Sequence, residues 1–416
     1  MNAKPIALLV PAAVAVGLAA YFVSRGGPPP VTPPAAAPML IPDAVSVIPG
    51  VAEIEIKAAD RSLTIRRKDG DGPWTLPVYS GYPAKPSRVT DLLAALAGMA
   101  LIEEKTAKPD WYGRIGVDEP TAPGSTGVLI TLKDRAGKSL AAVILGNTAQ
   151  PGAPIPGVRS ARYVRRPGEA QSYLGSGAVE ADTAPTSWIT NPVLQVPRNS
   201  LKTVVLTRAE APGETPDRAN VLDLVRHAPT DANFTVRNLP PGRAVQSPYV
   251  VDQAGGALAY VTAEDVRPAD QIDFESGEEA PPPAAGSKQA AFVRSQGRFV
   301  SFDGLVITTR VTRHDGRYWL TAEAAFDPGE AQPEAQVADP TRPTPEDVRK
   351  QADELNARLK GWAFAIGEWN ARQLAAKLAD LLKDPEPEIV DTPGPIGPPA
   401  DDPLDPLKPP PADDPG

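Results

Sequence analysis

The chain has 416 residues, 42% hydrophobic and 22% charged, with 51 prolines and no cysteine. That allows two domains of ordinary size and excludes a disulfide framework or a Cys-ligated metal. The net charge is -9, but from Asp384 onward nine acidic residues face only Lys408, so the tail carries -8 and the rest -1; a nearly neutral body excludes a basic surface for nucleic acid.

Residues 5–23, PIALLVPAAVAVGLAAYFV, form an unbroken apolar run between Lys4 and Arg25. A bilayer-spanning helix needs about 20 apolar residues, whereas the apolar region of a cleavable signal is about 7–15 long and ends in a small-residue site. The two A-x-A candidates fit poorly: Ala13-Val14-Ala15 lies inside the run, and Ala35-Ala36-Ala37 is distant and followed by Pro38. The length favours a single transmembrane anchor over residues 1–25. The α-amino group and Lys4 against Arg25 favour a cytoplasmic N-terminus, which puts the rest of the chain in the periplasm of a double-membraned bacterium.

Residues 26–43 are proline-rich and read as a semi-rigid spacer. Two alternating segments follow, 51–57 and 63–67, expected as paired strands, with the turn Asp69-Gly-Asp-Gly72 before Trp74. That turn is a better hairpin source than half a calcium loop, for it lacks the later acidic ligands. Val89, Leu92, Leu93, Leu96 and Met99 keep helical spacing behind Ser87, a candidate N-cap; such a stripe is core packing. Residues 101–108 read as a strand, 111–117 as a short core plug, 128–133 and 140–145 as a hairpin about Asp134–Lys138, and 163–167 with 170–174 as another.

The pattern then restarts. Residues 201–207 answer the first strand, 221–226 the second, and Phe234-Thr-Val the segment Trp74-Thr-Leu. The stretch from Ser247 answers the helix at Ser87, 264–268 the strand ending at Pro109, and 305–313 with 318–324 the hairpin around Gly137. Insertions at 270–286 and 326–345 set the second unit apart. A helix is expected over 345–359, capped by Thr344, then a strand over 361–366 and a closing helix over 369–382. The fold class is therefore α+β: two related units of antiparallel sheet with packed amphipathic helices, over 44–197 and 198–383, behind one transmembrane helix. Residues 384–416 hold too little apolar matter to fold.

This order of elements, with Gly81-Tyr-Pro-Ala-Lys-Pro-Ser-Arg-Val89, Glu104-Lys-Thr-Ala-Lys-Pro109, Tyr163-Val-Arg-Arg-Pro-Gly-Glu-Ala-Gln171, Phe302-Asp-Gly-Leu-Val306 and Gly361-Trp-Ala-Phe364, resembles the bacterial family called domain of unknown function 4340. The resemblance covers most of residues 44–383 and implies an auxiliary component of ABC-type transport systems of the kind associated with gliding motility, with an ABC permease and ATPase as partners. It supplies no catalytic motif, and the spacer and acidic tail depart from it.

The residues themselves offer little chemistry. No Walker A, G-x-S-x-G or G-x-G-x-x-G is present, so no catalytic, cofactor or metal residue is assigned. His227 and His314 are the only histidines and read as turn residues rather than ligands. Asp265, Asp270, Asp273, Glu275, Glu278 and Glu279 could gather a cation, but read better as a solvated loop. Arg162, Arg165 and Arg166 form the one candidate binding surface, an anion-binding edge, set against the ordinary use of edge charges to block pairing. The expected role is a non-enzymatic, extracytoplasmic binding or assembly module at the inner membrane. The alternatives are a solute binder or enzyme with a cleft between the units, and a passive spacer.

Overall fold

Alternating apolar and polar residues commit many of the described segments to strands with one face in a core. The computed structural model describes residues 38–67, 72–149, 158–214, 221–279, 292–332 and 342–384. The apolar run 5–23, most of the spacer, the Asp-Gly-Asp turn and nearly all of the acidic tail lie outside them. Among the described residues no helix is long and apolar enough to cross a membrane.

The first sheet holds β1 (Glu53–Lys57), β2 (Ser62–Arg67), β3 (Trp74–Leu76), β4 (Tyr82–Pro83), β5 (Leu101–Glu104), β6 (Val128–Lys133), β7 (Ser139–Ala149), β8 (Ala161–Arg165) and β9 (Ser172–Ser176). The second holds β10 (Leu201–Ala209), β11 (Leu222–Val225), β12 (Thr235–Val236), β13 (Ala263–Pro268), β14 (Arg294–Ser301), β15 (Leu305–His314), β16 (Arg317–Phe326) and β17 (Trp362–Ile366). All named pairings are antiparallel. The orders are β4-β3-β2-β1-β6-β7-β8-β9-β5 and β12-β11-β10-β14-β15-β16-β17-β13. With β10 set on β1, the second order is the first without β4. One correspondence read from the sequence therefore moves by a strand. The hairpin around Gly137 is matched by β14–β15, not by the hairpin at 305–324, because β14 carries too weak an alternation to be read as a strand.

The helices are α1 (Ala44–Val47), α2 (Pro86–Ala97), α3 (Tyr112–Ile115), α4 (Pro248–Gly255), α5 (Pro345–Leu359), α6 (Glu368–Leu374) and α7 (Leu378–Leu381). α2 and α4 hold the same place in each half, just before the strand that forms the sheet's last edge, β5 and β13. α2 buries Val89, Leu92, Leu93 and Leu96, each contributing about 1.5–3 kcal/mol if wholly removed from water. It starts at Pro86 with Lys85 as cap, so Ser87 lies inside the first turn; proline is suited to that start because it has no N–H to satisfy. In α5, Thr344 and Asp347 form a reciprocal capping box. The expected closing helix is broken into α6 and α7.

One hydrophobic core runs from Leu40 to Leu381 through both sheets, inside one compact unit. At the junction Tyr82 of β4 is 2% exposed and meets Trp362 and Phe364 of β17 edge-to-face at 5.0 and 5.7 Å. The connecting segment is stitched to the edge of the second sheet. Asn191 Nδ2 donates to the Ala263 carbonyl and its Oδ1 accepts from the Ala263 N–H, both at 2.9 Å, and Leu194 bridges Val261.

Candidate functional site

The second sheet turns one face to the core; the other carries a polar lattice. Strand register aligns Val205, Arg298, Thr308 and Glu323 across β10, β14, β15 and β16, and beside them Thr207, Gln296, Arg310 and Thr321. These two rungs line an open groove of about 590 Å³, to which Ala269, Leu359 and Gly361 also contribute. Further along, the same face is covered: Ile272 and Phe274, from the segment after β13, pack on Trp319, Ala363 and Ala365.

Both groove arginines are paired with carboxylates from outside the sheet. Arg298 meets Glu330 at 2.8 Å and Arg310 meets Glu275 at 3.3 Å, with the Arg310 guanidinium 5.4 Å from the Phe274 ring centre. Glu330 also accepts from Lys202 at 3.2 Å. The hydrogen bond from Arg298, and then that from Lys202, hold its carboxyl below the ordinary range despite partial burial. Among the described residues Glu323, on the floor, has no ion pair or side-chain hydrogen bond.

The matching face of the first sheet is shut. The segment after β5 lays Tyr112 and Val117 on Ile144, with Leu129 and Tyr163 alongside, so the expected core plug covers the outer face and leaves Trp111 half exposed. Four of its charges pair with one another: Glu53 pairs with Arg66 and Lys133, and Lys133 with Glu55 at 2.8 Å. Burial works to raise the Glu53 carboxyl, yet the Arg66 and Lys133 hydrogen bonds outweigh it and hold it low.

Residues 74–271, from β3 to just beyond β13, match the family model for a domain of unknown function, DUF4340. Over that segment the chain resembles the DUF4340 family. The match is narrower than the sequence motifs implied. It includes those at 81–89, 104–109 and 163–171, while Phe302–Val306 and Gly361–Phe364 fall outside it. β14, β15 and β16, the strands that carry most of the groove, also lie beyond the DUF4340 match. No curated protein and no solved structure matches the chain.

The three arginines singled out in the sequence do not converge, because successive strand residues point to opposite faces. Arg165 is buried under α3, 4.5 Å from the Tyr112 ring centre, donating to the carbonyls of Val117 and Glu169 and to Glu119 Oε1. Arg162 donates to the carbonyls of Gly146 and Val179, and Arg166 to those of Leu40 and Met39. Each fastens a neighbouring segment to β8 or its end.

Nor do the two histidines meet. His227 follows β11, and its backbone N–H donates to Asp231 at 2.8 Å. His314 ends β15, where ligand atoms of Glu278, His314 and Asp315 lie within 4.8 Å of one another. Those carboxylates already have partners: Glu278 accepts from the N–H groups of Asp315 and Gly316 at 2.7 and 3.1 Å, and Asp315 pairs with Arg267 at 3.0 Å. The other loop acids are dispersed, Asp265 to Arg317 and Glu275 to Arg310. The groove residues Arg298, Arg310 and Glu323 were not singled out in the sequence; recognising β14 as a strand would have aligned them.

Proposed function

We propose that the chain is a membrane-anchored extracytoplasmic binding or assembly module, auxiliary to an ABC-type transport system and not an enzyme. The observation that carries the binding role is the groove on the second sheet. Its floor presents guanidinium, hydroxyl, amide and carboxylate groups on paired strands, a rigid arrangement suited to recognition. Among the described lining residues no histidine, serine or cysteine stands beside an acid to form a nucleophile and base. The junction between the sheets is filled by Tyr82, Trp362 and Phe364, which favours a site on a sheet face over one in a cleft between halves.

The apolar run 5–23 supports the anchor, and the charge flanking it supports an extracytoplasmic body. The transport association is supported by the DUF4340 resemblance. Its test is purification of the tagged full-length protein from native membranes in mild detergent, with partners identified by mass spectrometry. An ABC permease and ATPase in stoichiometric amount is the expected result. Recovery of the protein alone, or only with itself, refutes the transport association, and an inactive periplasmic reporter fused after Lys383 refutes the localisation.

A further inference from the structure

The two sheets share a strand order but differ in what their outer faces leave free. On the first, Glu53, Glu55, Arg66 and Lys133 pair with one another within the sheet. On the second, the arginines reach out to carboxylates from flanking loops, and Glu323 has no ion-pair partner among the described residues. The floor thus offers both signs of charge, and a pure polyanion would meet Glu323 as well as the arginines. The complementary ligand carries a cation and an anion.

Geometry sets their separation. Arg298 and Glu323 stand in one rung on either side of Thr308, two strand spacings apart, or roughly 9–10 Å between backbones. Arg310 is the diagonal neighbour of both, within reach of long side chains. Three residues of extended peptide span at most about 10 Å. Thr207, Thr308, Thr321 and Gln296 supply hydroxyls and an amide around that line, the partners a peptide backbone needs when it leaves water.

We propose that this groove binds a short peptide with free termini, its carboxylate taken by Arg298 and Arg310 and its amino group by Glu323. Of the pairs it must displace, Arg310 and Glu275 are 51% and 81% exposed, and a pair so placed contributes little; Arg298 and Glu330 are less exposed, at 42% and 30%. When Arg298 turns to the ligand, Glu330 keeps Lys202, so no charge is stranded. This deepens the binding-module reading and rests on it, but does not require a transporter partner.

The test is isothermal titration calorimetry of trialanine into the purified full-length protein in detergent, beside N-acetyl-trialanine and trialaninamide. Saturable binding of trialanine is expected, with each capped peptide weaker by about tenfold or more, as loss of a charge-assisted hydrogen bond implies. Glu323→Gln should bring trialanine down to the level of the acetylated peptide and make acetylation indifferent; Arg298→Gln should weaken trialanine and shrink the penalty of amidation, Arg310 retaining the rest. Both side chains are solvent-facing, so unchanged thermal melting confirms folding. Absence of saturable heat at millimolar trialanine, or affinity indifferent to both caps, overturns the proposal. Peptide binding without co-purified transporter would remove the transport association and leave the groove assignment. Co-purification without peptide binding would remove the groove assignment alone.

Discussion

Replacing Tyr82 by alanine tests whether the sheets are held by one core. Its ring is almost wholly buried between β4 and β17, and loss of a buried aromatic costs about 3–5 kcal/mol. Of that, each edge-to-face contact, with Trp362 and with Phe364, accounts for about 0.5–1.5 kcal/mol. Tyr82→Ala should therefore remove a large share of a stability on the order of 5–15 kcal/mol, whereas Tyr82→Phe, which keeps the ring, should cost little at neutral pH. Guanidinium unfolding followed by tryptophan fluorescence, with Trp362→Ala completing a double-mutant cycle, measures both. Burial also pushes the Tyr82 hydroxyl up from 10.0 to about 12. A group whose folded value is raised gives stability that is present below the unfolded value and lost as pH rises through the folded one. Two units amount to roughly 2.7 kcal/mol, so the wild type should weaken between about pH 10 and 12 relative to Tyr82→Phe. A Tyr82→Ala cost below about 1 kcal/mol, the size of an average substitution, would refute the shared core.

Thr344→Ala removes the N-terminal cap of α5 and should lower stability by about 1 kcal/mol by chemical denaturation; an unchanged midpoint would mean that tertiary packing alone fixes the helix start. Gly146→Ala would drive a methyl into the Ile115 carbonyl and should cost about 1–3 kcal/mol, with faster hydrogen exchange over 112–118 and none over β14–β16. Acid should release the segment around Glu278 from the β15–β16 turn. The backbone N–H groups of Asp315 and Gly316 hold the Glu278 carboxyl below 4.5, so the stability it gives is present above that value and lost as pH falls through the lower folded one. Hydrogen exchange at Asp315 and Gly316 should rise in that window, and Glu278→Gln should remove the pH dependence.

How much was legible in the sequence follows from how each strand is used. β1, β2, β6 and β15 alternate apolar and polar residues and could be placed. α5 was legible because its cap is local chemistry: Thr344, Pro345 and Asp347 specify a start without tertiary help. β14 was not, since its core-facing positions run Ser295, Gly297 and Phe299, two of them small. Gly297 is small because a side chain there would run into Thr309, Phe299 and Leu206, a constraint visible only once the neighbouring strands are placed. With β14 missing, Arg298 had no rung to stand in, and Arg310 and Glu323 were ordinary surface charges. Arg162, Arg165 and Arg166 drew notice by proximity in sequence, although their partners, at positions 39–40, 117–119, 146, 169 and 179, are fixed by tertiary structure.

The same strand order yields one shut face and one open face because of what stands under each covering segment. In the first half the cover crosses Gly127 and Gly146, where a Cβ would strike the carbonyls of Asp118 and Ile115. The bare backbone there lets the chain lie directly on the sheet, and Arg165 then ties it down through the Val117 carbonyl. In the second half the corresponding strands, β14 and β15, raise Gln296, Arg298, Thr308 and Arg310 from the same face. Long polar side chains cannot be overlaid without losing water from groups the cover does not satisfy. The second cover therefore settles where Trp319 and the alanines of β17 accept it, leaving the polar rungs bare. Openness is thus set by side-chain size at a few outward positions, while the shared strand order leaves it undetermined, and in this chain the open polar face lies in the half whose strands extend beyond the DUF4340 match.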